Sequence, residues 1–211
     1  EMATDLETGF TLLNPATQKY EPEYFDRLGF SIDRLPPVKQ PADVIGKITE
    51  RAAGLTGLKS GTPVIAGTID AFCDSLAGGA TYPGWAVDVA GTSEVVSLGT
   101  RNLKSGNGIY LAGIGNSGNF LCGPTQAGGD TLTWLSRGFY PEIAAEDLFS
   151  KLEAEADAVP PGSDGVVFLP YLNGERAPIW DPRARGCFYG LSMEHNRKHF
   201  TRAVYEGVGY S

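Results

Sequence analysis

The chain has 211 residues, enough for one large domain or two small ones. Hydrophobic content of 42% and charged content of 20% suit a globular protein, and no apolar run reaches the roughly 18 residues that a membrane span needs. A net charge of −8 without a basic cluster excludes nucleic acid as a partner, because phosphate-backbone binding needs a positive face.

The opening third mixes short elements with polar turns. Phe10 to Leu13 reads as a strand, Pro15 to Gln18 as a turn and Pro22 to Leu28 as a short helix. Leu35-Pro36-Pro37-Val38 is an extended link, since proline fixes φ and biases its predecessor away from helix. Ala42 to Ile48 reads as a strand, Ile48 to Thr56 as a short helical turn, Thr62 to Ala66 as a buried strand and Ala71 to Gly79 as a helix. The breaker cluster Thr81-Tyr82-Pro83-Gly84 is the expected domain boundary.

Closely spaced strands follow. Ala86 to Ala90 and Glu94 to Leu98 flank a Gly-Thr-Ser hairpin tip, and Gly108 to Ile114 and Asn119 to Gly123 form a further pair. Gly128 to Phe139 reads as a helix with Leu132, Leu135 and Phe139 on one face. Glu146 to Ala158 is amphipathic, with Leu148, Leu152 and Ala156 inward and its acids outward. Val166 to Leu169 is a buried strand and His199 to Tyr210 a last helix. Strands alternating with helices predict an α/β fold with mixed sheets.

Cys73, Cys122 and Cys187 have neither metal spacing nor a disulfide framework and read as buried free thiols. His195 and His199 are four apart but lack a third ligand nearby. The first residues lack a basic flank followed by an apolar stretch, so the cytoplasm is the expected compartment. A chain that starts without methionine and stops within the helical pattern of Val208 to Ser211 reads as a piece of a longer protein.

Four constellations could carry chemistry. Asp70 stands where a strand ends and a helix begins. It is either an N-cap or an ionised carboxylate able to take a proton from a hydroxyl. Gly91-Thr92-Ser93 is either a simple hairpin turn or a phosphate cradle, with glycine admitting close approach and N–H and hydroxyl groups meeting phosphate oxygens. Gly128-Gly129-Asp130 opens a helix and is either a glycine-rich cap or an anion site. Gly174 to Pro182 is a dense polar-aromatic loop in which Glu175 and Arg176 read as anchors rather than as reacting groups.

The segment Gly186-Cys-Phe188-Tyr-Gly190-Leu191, followed after seven residues by His199-Phe200-Thr-Arg-Ala203-Val204-Tyr205-Glu206, is similar to a signature of the FGGY family of carbohydrate kinases. Phe168 to Pro182 resembles the family's segment just upstream, and the likeness runs from Thr4 to Ser211. It is strongest to the xylulokinase branch. The resemblance implies an actin-like (ribonuclease H-like) fold with parts of two domains, residues 1–80 binding the sugar and 81–211 binding ATP with Mg²⁺ across a cleft. It implies that Asp70 is the catalytic base, that Gly91, Thr92 and Ser93 contact the ATP phosphates, and that Gly129 contacts the nucleotide. The implied partners are a small sugar and ATP, with homodimer formation open. A catalytically inactive nucleotide-binding or regulatory module is the alternative.

This chain departs from the family in three ways. Thr68-Ile69 precede Asp70 and Ala71 follows it, where many members have a glycine pair and Gln. Thr133 replaces a Gln of glycerol kinases. The family's N-terminal Asp-Gly-Thr loop and C-terminal adenine loop fall outside these residues, so the isolated segment is expected to be inactive.

Overall fold

A computed structural model describes residues 3–5, 12–14, 17, 19–102, 104, 106, 108–113 and 117–211. The chain groups into two compact units, Glu1–Trp85 with Leu98–Leu103 and Leu111–Phe120, and Ala86–Ser97 with Lys104–Tyr110 and Leu121–Ser211.

In the first unit, strand β1 (Thr4–Asp5) is followed by the pair β2 (Leu13–Asn14) and β3 (Lys19–Tyr20), then by helix α1 (Pro22–Arg27). Proline at the first position of α1 costs the helix no hydrogen bond, and the buried Phe25 packs edge-on against Tyr20 at 5.8 Å. Residues 10, 11, 15, 16 and 18 of the predicted first strand and turn lie outside the described residues; Leu13 sits in β2. Strand β4 (Val38–Lys39) pairs parallel with β1. Strand β5 (Val44–Lys47) leads to helix α2 (Glu50–Thr56), where the Thr49 hydroxyl accepts from the Ala52 N–H at 3.2 Å and Gly57 closes the helix at φ 76°.

Strand β6 (Pro63–Ile65) pairs antiparallel with β5. The expectation of a buried strand fails here, because Ile65 is 54% exposed. Only Val64 of β6 is half-buried, while Pro63 and Ile65 on either side of it are exposed, the alternation of a strand with one face covered. Helix α3 (Asp70–Ala77) follows and turns Phe72 and Ser75 inward, with Phe72 edge-on to Phe120 at 5.5 Å.

Strands β7 (Ala86–Ala90), β8 (Glu94–Thr100), β9 (Tyr110–Gly113) and β10 (Asn119–Pro124) form a four-stranded sheet in the order β7-β8-β10-β9. Helix α4 (Gly129–Phe139) and helix α5 (Leu148–Asp157) follow. Strand β11 (Val167–Leu169) pairs antiparallel with β12 (Cys187–Tyr189), which has no counterpart among the predicted elements. Helix α6 (Arg197–Gly209) closes the chain behind a capping box between Asn196 and His199.

The core of the second unit is Leu135, Tyr140, Leu152, Val166, Phe168, Ala203 and Val204, with Leu132, Phe139 and Leu148 packed against it. The predicted inner faces of α4 and α5 therefore hold. Strand β11 is half-buried rather than buried: Phe168 enters the core while Val167 and Leu169 stay exposed, the alternation of a sheet with one covered face.

The predicted outward placement of every acid on α5 also fails, at Glu155. That residue is 5% exposed and lies at the centre of a polar cluster. It receives the Tyr140 hydroxyl at 2.6 Å, Arg197 Nη2 at 3.0 Å and Lys151 Nζ at 3.1 Å. Burial alone raises the carboxyl, but the bonds from Tyr140, Arg197 and Lys151 outweigh it and bring it down to about 2. Burial and the bond to Glu155 push Tyr140 up to about 12. The Arg197 guanidinium lies 4.1 Å from the centre of the Tyr140 ring and donates to the Phe139 carbonyl at 3.1 Å.

Because the folded value lies below the ordinary 4.5, the stability Glu155 contributes is complete above that pH and is lost as the pH falls toward 2. Glu155→Gln is expected to cost about 2 kcal/mol near neutral pH, less than breaking a fully buried pair, since the partly exposed Arg197 keeps Glu142 and the Phe139 carbonyl as partners. Urea midpoints across the acid range check this: the gap between the two proteins should narrow as the pH is lowered.

Candidate functional site

In the first unit, Asp70 is the first residue of α3, and Ile69 takes the capping position without a side-chain bond. The N-cap reading of Asp70 is therefore set aside. Its carboxylate is exposed and accepts from the Ala71 N–H at 2.8 Å, beside the positive end of the helix. The turn before it is tied down by the Thr68 hydroxyl, which donates to the buried carboxylate of Asp5 at 2.8 Å. The strand-to-helix turn is thus held from behind while the acid itself meets solvent.

In the second unit, Gly91-Thr92-Ser93 forms the connection between β7 and β8, as the spacing predicts. The start of α4 is docked onto it. The Gly129 N–H donates to the Gly91 carbonyl at 2.8 Å and the Asp130 N–H to the Thr92 carbonyl at 3.2 Å. Two donors of the first helical turn, which a bare helix end offers to an anion, are spent on the hairpin instead. Contact is close enough to require glycine. A Cβ on Gly128 would stand 2.7 Å from the Ser93 carbonyl carbon, and one on Gly129 would stand 2.8 Å from the Gly91 oxygen.

Thr92 and Ser93 line a cavity of about 560 Å³, a size typical of small-molecule sites. Gly91 and Gly129 are not in its wall; they hold the turn against the helix. The wall continues with Asp130, Trp134 and Arg137 from α4, Gln126 and Ala127 before it, and Asn173 and Arg176 from the loop after β11. No hydroxyl bond of Thr92 or Ser93 is made among the described residues, so both remain available to a ligand. Burial, with Asp88 nearby, pushes the neighbouring Glu94 carboxyl above its ordinary value.

The sequence motifs do not single out Arg137, Trp134 and Asn173 as lining residues. A signal was present on α4: Asp130, Trp134 and Arg137 recur at helical spacing, a polar-aromatic stripe beside the apolar one. Trp134 backs the cavity by stacking on Phe168, ring centres 5.9 Å apart. Glu175 acts as the expected anchor: its Oε1 accepts from the Gln126 N–H at 2.6 Å and from the Arg176 N–H at 2.7 Å.

The remaining candidates are structural here. Nδ1 of His199 accepts from the Asn196 N–H, and Nδ1 of His195 accepts from the Ser192 N–H. Among the described residues no three His, Cys, Asp or Glu side chains gather as a metal site. Only Cys122 of the three thiols is buried; Cys73 and Cys187 are exposed, which corrects the reading of three buried cysteines. No helix of the described residues is long and apolar enough to cross a membrane.

Residues 86–211 match the C-terminal domain of the FGGY family of carbohydrate kinases, and residues 5–76 match its N-terminal domain. The chain is 33% identical over 206 residues to the xylulose kinase of Bacillus subtilis, covering 96% of this chain and 40% of that protein. It is equally 33% identical over 207 residues to the L-xylulose/3-keto-L-gulonate kinase of Escherichia coli, covering 95% and 40%. The crystal structure of xylulose kinase from Rhodospirillum rubrum superposes with a TM-score of 0.82 at 33% identity, over 99% of this chain and 42% of that one. The chain thus spans about two fifths of the length of these relatives.

Gly128→Ala should force the hairpin tip and the helix start apart. The expected cost is about 1–3 kcal/mol, the range for overpacking, read as a lowered urea midpoint.

Proposed function

Because this chain belongs to the FGGY family of carbohydrate kinases, with an actin-like α/β fold, we propose that it is the central part of a sugar kinase. The complete enzyme transfers the γ-phosphate of ATP to a hydroxyl of a ketose such as xylulose, or of a related polyol. Residues 1–80 then belong to the sugar-binding domain and 81–211 to the ATP-binding domain. Soluble substrates fit a cytoplasmic protein.

One observation supports this reading most: the Thr92 and Ser93 hydroxyls open on a cavity of about 560 Å³ whose wall also carries two guanidinium groups. In a chain of net charge −8, that is where an anionic nucleotide finds attraction. Thr92 and Ser93 bond the phosphate oxygens, while Gly91 and Gly129 fix the turn that presents them. Asp70 accepts the proton of the sugar hydroxyl as it attacks, a role open to it because its carboxylate is exposed at a helix start. Magnesium would be held by the phosphate oxygens with Asp130, the carboxylate in this wall, and would neutralise charge on the transferred group. Positioning and electrostatics supply most of the rate in such a transfer.

Two measurements on the full-length protein test the proposal. A screen of ketoses and polyols should find at least one that stimulates ADP release; ADP binding with no stimulation by any sugar would leave a nucleotide-binding module instead. Asp70→Asn should keep sugar affinity within a few-fold and cut turnover at least ~100-fold, the scale of general-base catalysis. Turnover within tenfold of the unmutated enzyme would remove Asp70 as the base.

A further inference from the structure

We propose that Arg176 is a phosphate-binding residue of the second unit, its guanidinium engaging the terminal phosphates of the nucleotide. This rests on the nucleotide occupying the cavity that Thr92 and Ser93 line. Sequence alone gives Arg176 the role of a loop anchor; its surroundings give it another.

The loop after β11 is stitched to the end of β10. The Ala177 N–H donates to the Pro124 carbonyl at 3.0 Å, and Glu175 Oε1 receives the backbone N–H groups of Gln126 and Arg176. Arg176 Nη2 donates to the Thr125 carbonyl. Residues 125–128 are the link that ends in the docked start of α4, so Arg176 is stationed on the same short stretch of backbone that positions the hairpin tip. It shares the cavity wall with Thr92, Ser93 and Arg137.

Glu175, backbone groups and the Arg176 bond to the Thr125 carbonyl anchor the loop, and that bond uses one nitrogen of the guanidinium. The guanidinium itself is left incompletely paired. Its Nε is buried without a hydrogen-bond partner, and Arg176 forms no ion pair among the described residues. The neighbouring Glu175 makes no hydrogen bond to the guanidinium among the described residues: Oε1 accepts from backbone N–H groups, and Oε2 is itself buried and unpartnered. A guanidinium stays charged at any physiological pH, and leaving one of its buried donors without a hydrogen-bond partner is unfavourable. An arriving phosphate removes that cost, because its oxygens match the planar fork of donors. Among its lining residues the wall holds Arg137 and Arg176 against the single carboxylate of Asp130, a positive excess that suits a phosphate chain.

Calorimetry on the full-length protein with ADP and with adenosine tests the role, because adenosine presents the base and ribose without phosphate. Arg176→Gln should weaken ADP by about tenfold or more, the scale of a lost charge-assisted bond, and leave adenosine within about twofold. Arg176→Lys, which keeps the charge but not the fork, should fall between and carries the test where Arg176→Gln does not fold. Unchanged ADP affinity in either variant, or equal loss of ADP and adenosine, overturns the inference and leaves Arg176 as part of the loop's framework. A wild-type protein that binds no ADP would instead sink the kinase reading, and this role with it.

Discussion

The second unit depends on the bonding of a helix start to a hairpin tip. The Gly129 and Asp130 N–H groups reach the Gly91 and Thr92 carbonyls, and the backbones approach so closely that no side chain fits at Gly128 or Gly129. This satisfies orphan donors that every helix carries. It also fixes Thr92 and Ser93 in the wall of the cavity, where neither hydroxyl is bonded to another described residue.

Helix α4 is held at its other end as well. Arg197, from α6, donates to the Phe139 carbonyl in the last turn of α4 and stacks over Tyr140, while its remaining nitrogens reach Glu142 and Glu155. A cation at a helix C-terminus is favourable by itself, and here it also organises a buried carboxylate. The helix that lines the cavity with Asp130, Trp134 and Arg137 is therefore pinned at both ends, by backbone at one and by a charge cluster at the other. Apolar packing of Leu135 between them fills the middle. Such a helix holds the backbone that carries its cavity-facing side chains in one place.

Periodicity made α4 and α5 legible in the chain, because Leu132, Leu135, Leu148 and Leu152 recur at helical spacing. Glycine and proline punctuation did the same for the β7–β8 connection and for the end of α2. Failures share one cause. The linear pattern misplaces Glu155, Ile65 and Val167 because burial depends on which neighbour covers a face, and a pattern names the face without naming the neighbour. Glu155 reads as a solvent-facing acid until Arg197, distant in sequence, is brought beside it. Strand β12 is only three residues long and carries too short a pattern to stand out.

At the site the division is the same. Asp70 at a strand-to-helix junction and Gly91-Thr92-Ser93 at a hairpin tip were visible in the linear chain, because turn and helix-start chemistry is local: a few adjacent residues set φ, ψ and the donors on offer. The family likeness, too, was carried by short motifs. Tertiary structure alone decided how those donors are used, sending the α4 N–H groups to the hairpin and leaving the Thr92 and Ser93 hydroxyls to the cavity. It likewise decided that Glu175 spends its carboxylate on backbone while Arg176 keeps part of its donor capacity unspent. These are choices among partners far apart in sequence, and only the folded chain brings those partners within reach of one another.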